Sequence, residues 1–139
     1  MHMRAYKEGL RLSAEGRHAE AIDRLQLALS QRPGDARVLF ALGNTARALG
    51  MAGPAEQFYR MVLALAPARL EALINLANLL RANGDAAAAV ALLEPALERA
   101  PDSHEILMTL GSAHRELGNR REAKFHARET LARRPSYEQ

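Results

Sequence analysis

Apolar residues recur at helical spacing along this chain, and the pattern itself returns every 34 residues. Leu39 and Leu42, Leu73 and Leu76, and Leu107 and Leu110 hold equivalent places in successive copies. That spacing sets each pair on one face of an α-helix. Leu29, Leu63, Leu97 and Leu131 form a further apolar column. Four columns of smaller or turn-forming residues keep the same period. They are Gly16, Gly50, Gly84 and Gly118; Pro33, Pro67, Pro101 and Pro135; Ala21, Ala55, Ala89 and Ala123; and Gly9, Gly43, Ala77 and Gly111. The register predicts units at about 2–35, 36–69, 70–103 and 104–137, each a pair of antiparallel helices.

Each column has a physical task. Gly16 and its equivalents follow an amphipathic run, where a helix ends on a left-handed residue that glycine adopts at little cost. The prolines end each second helix, because proline lacks an N–H and restricts the residue before it. The Gly9 and Ala21 columns let two helices approach closely. Asp35 and Asp102 or Ser103 are placed to cap first helices, and Asp85 and Asn119 to cap second helices. Asp102 with Glu105, and Asn119 with Glu122, have capping-box spacing, and Pro54 suits a first helical turn. Pro95 lies inside a second helix; it frees the carbonyl of Ala91 and predicts a kink, with the helix continuing towards Pro101.

The last segment, 120–134, is far more polar than its counterparts, and the large residue of its inner column has become Ala127. A stack of repeats leaves a core-like face bare at each end. Segment 120–134 is therefore expected to be a terminal helix acting as a polar cap.

These columns resemble the tetratricopeptide repeat over almost the whole chain. The best match is Leu42-Gly43, Gly50, Ala55, Tyr59, Leu63 and Pro67. The chain departs from the family's pattern in first-helix aromatics: Ala5, Leu39, Leu73 and Leu107 stand at one such position, and Leu12, Ala46, Leu80 and His114 at another. The resemblance implies an all-α fold, a right-handed superhelical α-solenoid of about eight helices forming a single domain over 1–139. It also implies a concave surface lined by the first helix of each unit.

Composition agrees. The chain holds 28 Ala and 22 Leu, against three each of Val, Ile and Thr. Ala and Leu favour helices, whereas sheets draw on β-branched residues. There is no Cys, so a disulfide framework, a thiolate zinc site and a cysteine nucleophile are excluded. The net charge of +3 arises wholly after residue 111, too small a surplus for a nucleic-acid partner. Leu70 to Leu80, the richest apolar stretch, is broken by Glu71, Asn75 and Asn78, so no membrane insertion is expected. Met1–Lys7 has no apolar run of a secretory signal, so a cytoplasmic location is expected. The Ala- and Arg-rich usage fits a bacterial, GC-rich genome.

Catalytic signatures are missing: no GxSxG, no phosphate-binding glycine loop and no HExxH. His114 and His126 lie on successive helices of the last unit, but two partly exposed histidines explain them better than a metal site. No enzyme, no cofactor and no metal are expected. Binding is the better account. In the family the groove positions correspond here to Tyr6, Phe40, Ile74 and Met108, an apolar stripe; to Leu10, Asn44, Asn78 and Ser112; and to Ser13, Arg47, Arg81 and Arg115. Asn44, Asn75 and Asn78 carry both donor and acceptor and suit a peptide backbone. Arg47, Arg81 and Arg115 suit carboxylates. The expected partner is a protein or peptide segment with apolar residues flanked by acidic ones. Tails gripped by the family's chaperone clamps need cations where Phe40, Glu105 and Thr109 stand, which argues against a chaperone C-terminal carboxylate. The other readings are a self-assembling homo-oligomeric scaffold, and a recruiting arm of a larger enzyme such as a glycosyl- or sulfotransferase.

Overall fold

Seven α-helices and no strand make up the described part of the chain. The computed structural model describes residues 3–137, and the side chains of all of these except 122, 123, 126 and 129–137. The helices are α1 (Met3–Ala14), α2 (His18–Gln31), α3 (Ala36–Ala48), α4 (Ala52–Leu65), α5 (Leu70–Ala82), α6 (Ala86–Arg99) and α7 (His104–Tyr137). Each packs on the next, and α5 also touches α7. The first six form three hairpins stacked as a solenoid, as the period predicts.

The hairpin turns are made by glycine. Gly16, Gly50 and Gly84 have φ of 81°, 76° and 83°. A side chain there would crowd the backbone, so glycine alone takes that conformation cheaply. Inside each hairpin a large side chain presses onto a small one. A Cβ on Gly9 would lie 2.6 Å from Leu25 Cγ, and one on Gly43 would lie 2.7 Å from Tyr59 Cε1. Leu25, Tyr59 and Leu93 occupy one repeat column and are fully buried. They are the knobs that hold second helix to first.

The fourth unit departs from this plan. In place of two helices joined at Gly118, α7 runs through Gly118 and Asn119 as one helix. The described residues therefore hold seven helices where about eight were expected. Segment 120–134 lies within α7 and is not a separate helix, and Asn119 makes no capping hydrogen bond among the described residues. The physical reason lies in the knob column. Ala127 stands where Leu25, Tyr59 and Leu93 stand. Burying a leucine or larger side chain contributes about 2–3 kcal/mol, and alanine recovers little of it. A glycine inside a continuing helix costs only about 1 kcal/mol, so without a knob the helix continues.

Capping follows the sequence elsewhere. Asp35 accepts from the Arg37 backbone N–H at 3.0 Å, and Asp85 from that of Ala88 at 3.1 Å. Ser103 rather than Asp102 caps α7, accepting from the Ile106 N–H at 3.4 Å. Pro95 sits within α6, which continues past it to Arg99. The Arg37 guanidinium, bonded to Asp35, holds that carboxyl below the usual carboxylate range, and the backbone N–H groups of Arg37 and Val38 act in the same sense. The folded value is thus below the unfolded one. Its stabilisation is complete above the unfolded value near pH ~4 and is lost as pH falls through the lower folded value. Asp35→Ala is expected to cost about 1 kcal/mol at neutral pH. In urea titrations the gap to the parent chain should narrow in acid; a gap equal at both pH values would refute the assignment.

Candidate binding groove

The first helices, α1, α3, α5 and the start of α7, set the column Tyr6, Phe40, Ile74 and Met108 side by side. Each of the first three is half-buried, packed on one side against the core. Met108 is 60% exposed. The apolar stripe is therefore rooted in the core and open to solvent. Two cations border it. Arg37 lies over the Tyr6 ring at 5.6 Å and Arg69 over the Phe40 ring at 4.9 Å. Such stacking is worth about 0.5–1 kcal/mol at exposed sites and keeps each ring in place.

Beside the stripe lies a polar cluster. Asn44 Oδ1 accepts from the Tyr59 hydroxyl and, at 2.9 Å, from Asn75 Nδ2. Burial pushes the Tyr59 phenol above its ordinary pKa, against the opposing pull of Arg47 and the hydrogen bond with Asn75. It therefore stays a proton donor. Asn44 and Asn75 are engaged with each other through one atom apiece; the Asn44 amide nitrogen and the Asn75 oxygen make no hydrogen bond among the described residues. Asn78 Oδ1 accepts from Arg81 at 2.9 Å.

The arginine column divides. Arg81 donates twice to Glu116 Oε1, its Nε at 3.0 Å. Arg47 and Arg115 are exposed and form no ion pair or hydrogen bond among the described residues. Ser112 is half-buried at the α7 end of the groove. At the α1 end, Ser13 lies 3.5 Å from the Thr45 hydroxyl, which itself donates to the Ala41 carbonyl at 2.8 Å. A cleft of about 190 Å³ opens there between Leu10, Ser13, Ala41, Asn44 and Thr45.

Sequence columns missed two of these participants, Glu116 and Arg69, whereas Arg37 falls in a further groove column with Met3, Glu71 and Glu105. Glu116 falls 35 residues after Arg81, Arg37 reaches back across a unit boundary to Tyr6, and Arg69 reaches Phe40 from the far end of the same unit. Only the neighbouring position of Glu116 to Arg115 hinted at an ion pair. The pairing of His114 with His126 involves a side chain outside those described. Among the described residues no group of three metal-ligating side chains forms, and no helix is long and apolar enough to cross a membrane.

Residues 12–75 and 69–136 each match a family model described as tetratricopeptide repeat. The chain belongs to the tetratricopeptide repeat family. Its fold is similar to that of the tetratricopeptide domain of Sgt2 from Aspergillus fumigatus, with 20% identity, a TM-score of 0.76, and coverage of 87% of this chain and 82% of that one. A thermophilic tetratricopeptide protein of Thermus thermophilus matches at 24% identity and a TM-score of 0.68, over 95% of this chain and 74% of that one. The first tetratricopeptide domain of Spaghetti (RPAP3), solved with the HSP90 peptide SRMEEVD, matches at 19% identity and a TM-score of 0.74, over 84% and 93%. No curated relative matches the sequence.

Proposed function

We propose that this tetratricopeptide chain is a non-catalytic interaction module that holds a peptide segment of a partner protein along the face of α1, α3, α5 and early α7. The observation that carries the reading is the half-exposed column Tyr6, Phe40, Ile74 and Met108. Tyr6, Phe40 and Ile74 are anchored in the core and Met108 is exposed, and together they keep apolar surface open to solvent beside the Arg37 and Arg69 guanidiniums. Apolar side chains of the ligand would lie on it, with Met108 adapting to their shape. The unsatisfied halves of the Asn44 and Asn75 amides offer one donor and one acceptor to a ligand backbone. Arg47 and Arg115 bracket the tethered Arg81 and would meet carboxylates at two separated points. A peptide complex is known for the RPAP3 domain, whose fold this chain shares. Glu105 and Thr109 stand where a chaperone clamp has cations, so the favoured ligand is an internal apolar and acidic segment and not a carboxy-terminal tail.

The test uses arrayed peptides of about ten residues, alternating apolar and acidic, against the same peptides with lysine for each acid. The acidic set should bind. Arg47→Glu and Met108→Glu change exposed side chains and leave the helices intact, and each should weaken binding by about tenfold or more. Equal retention of the lysine set, or undiminished binding by both variants, would remove the reading.

A further inference from the structure

A cleft of about 330 Å³ lies between the α4–α5 turn, α5, the end of α6 and the start of α7, and it shares no residue with the peptide groove. Its most buried lining residues are Leu73, Ala96 and Ile106. Leu70 is half-buried beside them. One repeat earlier the same places are closed. Leu39, Val62 and Ala72 meet there in a core cluster, with Leu39 1% exposed and the other two fully buried. In the later unit Leu73 and Ala96 are each 6% exposed. Alanine in place of Val62 removes two methyl carbons, and a site that does not collapse keeps the space they filled. Ile106, larger than Ala72 in its column, lines that space without filling it.

The chemistry at the mouth has one sign. Arg99 lines the cleft, is exposed, and makes no ion pair or hydrogen bond among the described residues. Gln31 and Leu65 hold its place in the first two units, so the cation enters where the space opens. Ser103 is the other polar side chain of the lining. Its Oγ accepts from the Ile106 N–H at 3.4 Å, which leaves the hydroxyl proton for a further acceptor. No Asp or Glu lines the cleft to neutralise Arg99. Small-molecule sites start at about 300 Å³ and combine an apolar lining with a few placed polar groups, the combination present here.

We propose that this cleft binds a small amphipathic monocarboxylic acid. The apolar body lies on Leu70, Leu73, Ala96 and Ile106. The carboxylate stays at the mouth, where the Arg99 guanidinium donates to it and the Ser103 hydroxyl supplies a further donor. An amine of the same length meets Arg99 with like charge and is refused. The site owes nothing to the groove, so the two readings stand or fall independently.

The probes are octanoate and 4-phenylbutyrate, followed by calorimetry and by the methyl NMR shifts of Leu73, Ala96 and Ile106. Saturable binding of either acid supports the proposal, and the tighter of the two gives the shape of the body. Octylamine should leave the same methyls unmoved. Arg99→Gln changes an exposed side chain and should weaken the acids by about tenfold or more. Ala96→Val restores the residue of the second unit and, with helix content unchanged by circular dichroism, should abolish saturation. Arg47→Glu, a change in the groove, should leave acid affinity as it was, which separates failure here from failure of the groove reading. The proposal falls if neither acid saturates, if octylamine binds as tightly as octanoate, or if Arg99→Gln binds the acids undiminished. It falls equally if Ala96→Val loses peptide binding while the acids never bound, since the cleft would then seat a side chain of the peptide.

Discussion

Gly43→Val should destabilise the chain by about 3 kcal/mol, at the upper end of overpacking costs. A Cβ at position 43 would stand 2.7 Å from Tyr59 Cε1 and 2.8 Å from Cδ1. No real pair of carbons sits so close, so the ring or the helix must shift. The ring is poorly placed to do so. Its hydroxyl is bonded to Asn44, which Asn75 also holds, and its face is fully buried. Moving it opens the α3–α4 contact and breaks a part-buried hydrogen bond together. The third unit shows what the column tolerates when the knob is smaller, since Ala77 and Leu93 meet there, both fully buried. Gly53→Ala is the matched control. Gly53 is exposed in the first turn of α4, and nothing lies within 4 Å of the place a Cβ would take there. Alanine at that position should add up to about 1 kcal/mol, because glycine loses more freedom on entering a helix. Urea midpoints for the two variants should therefore move in opposite directions. A Gly43→Val midpoint within error of the parent would show that the Tyr59 knob is not a fixed element of the hairpin.

The same knob explains how far the sequence could be read. The three hairpins were legible because their turns and close contacts use residues with few alternatives: glycine at positive φ, and glycine or alanine beneath a large side chain. A column at a fixed period exposes such constraints directly. Gly118 shared the column but not the outcome. A glycine permits a turn; it does not compel one, and the decision rests on whether the second helix has something to bury. Ala127 was the visible sign, yet its consequence depends on packing and not on local preference. In the groove, positions on the 34-residue period located the apolar stripe and the arginines. They did not show which arginine is tethered. Arg81 meets Glu116 and Asn75 meets Asn44 at separations of 35 and 31 residues, off the period on either side. Those pairings depend on how one first helix is rotated against the next, which no single column encodes.

If the missing knob keeps α7 straight, then restoring it should fold the helix back. Ala127→Leu combined with Asn119→Asp supplies the buried leucine of units one and three and the capping aspartate of unit three. The receiving surface is present, since Gly111 is open in the column where Gly9 accepts Leu25. The leucine contributes about 2 kcal/mol on burial, and covering Leu107 adds to it. The gain exceeds the cost of opening the helix at Gly118, where glycine takes the left-handed turn cheaply. The outcome reads as a distance. Spin labels at positions 107 and 131 lie about 36 Å apart along one continuous helix. Across a closed hairpin they lie about 10 Å apart at the backbone, by ordinary helix packing. Labelled chain diluted in an excess of unlabelled chain removes signals between copies. The parent should give the long distance and the double variant the short one. A short distance in the parent would show that Ala127 is knob enough. A long distance in the double variant would show that the straight helix is held by something other than a vacant column.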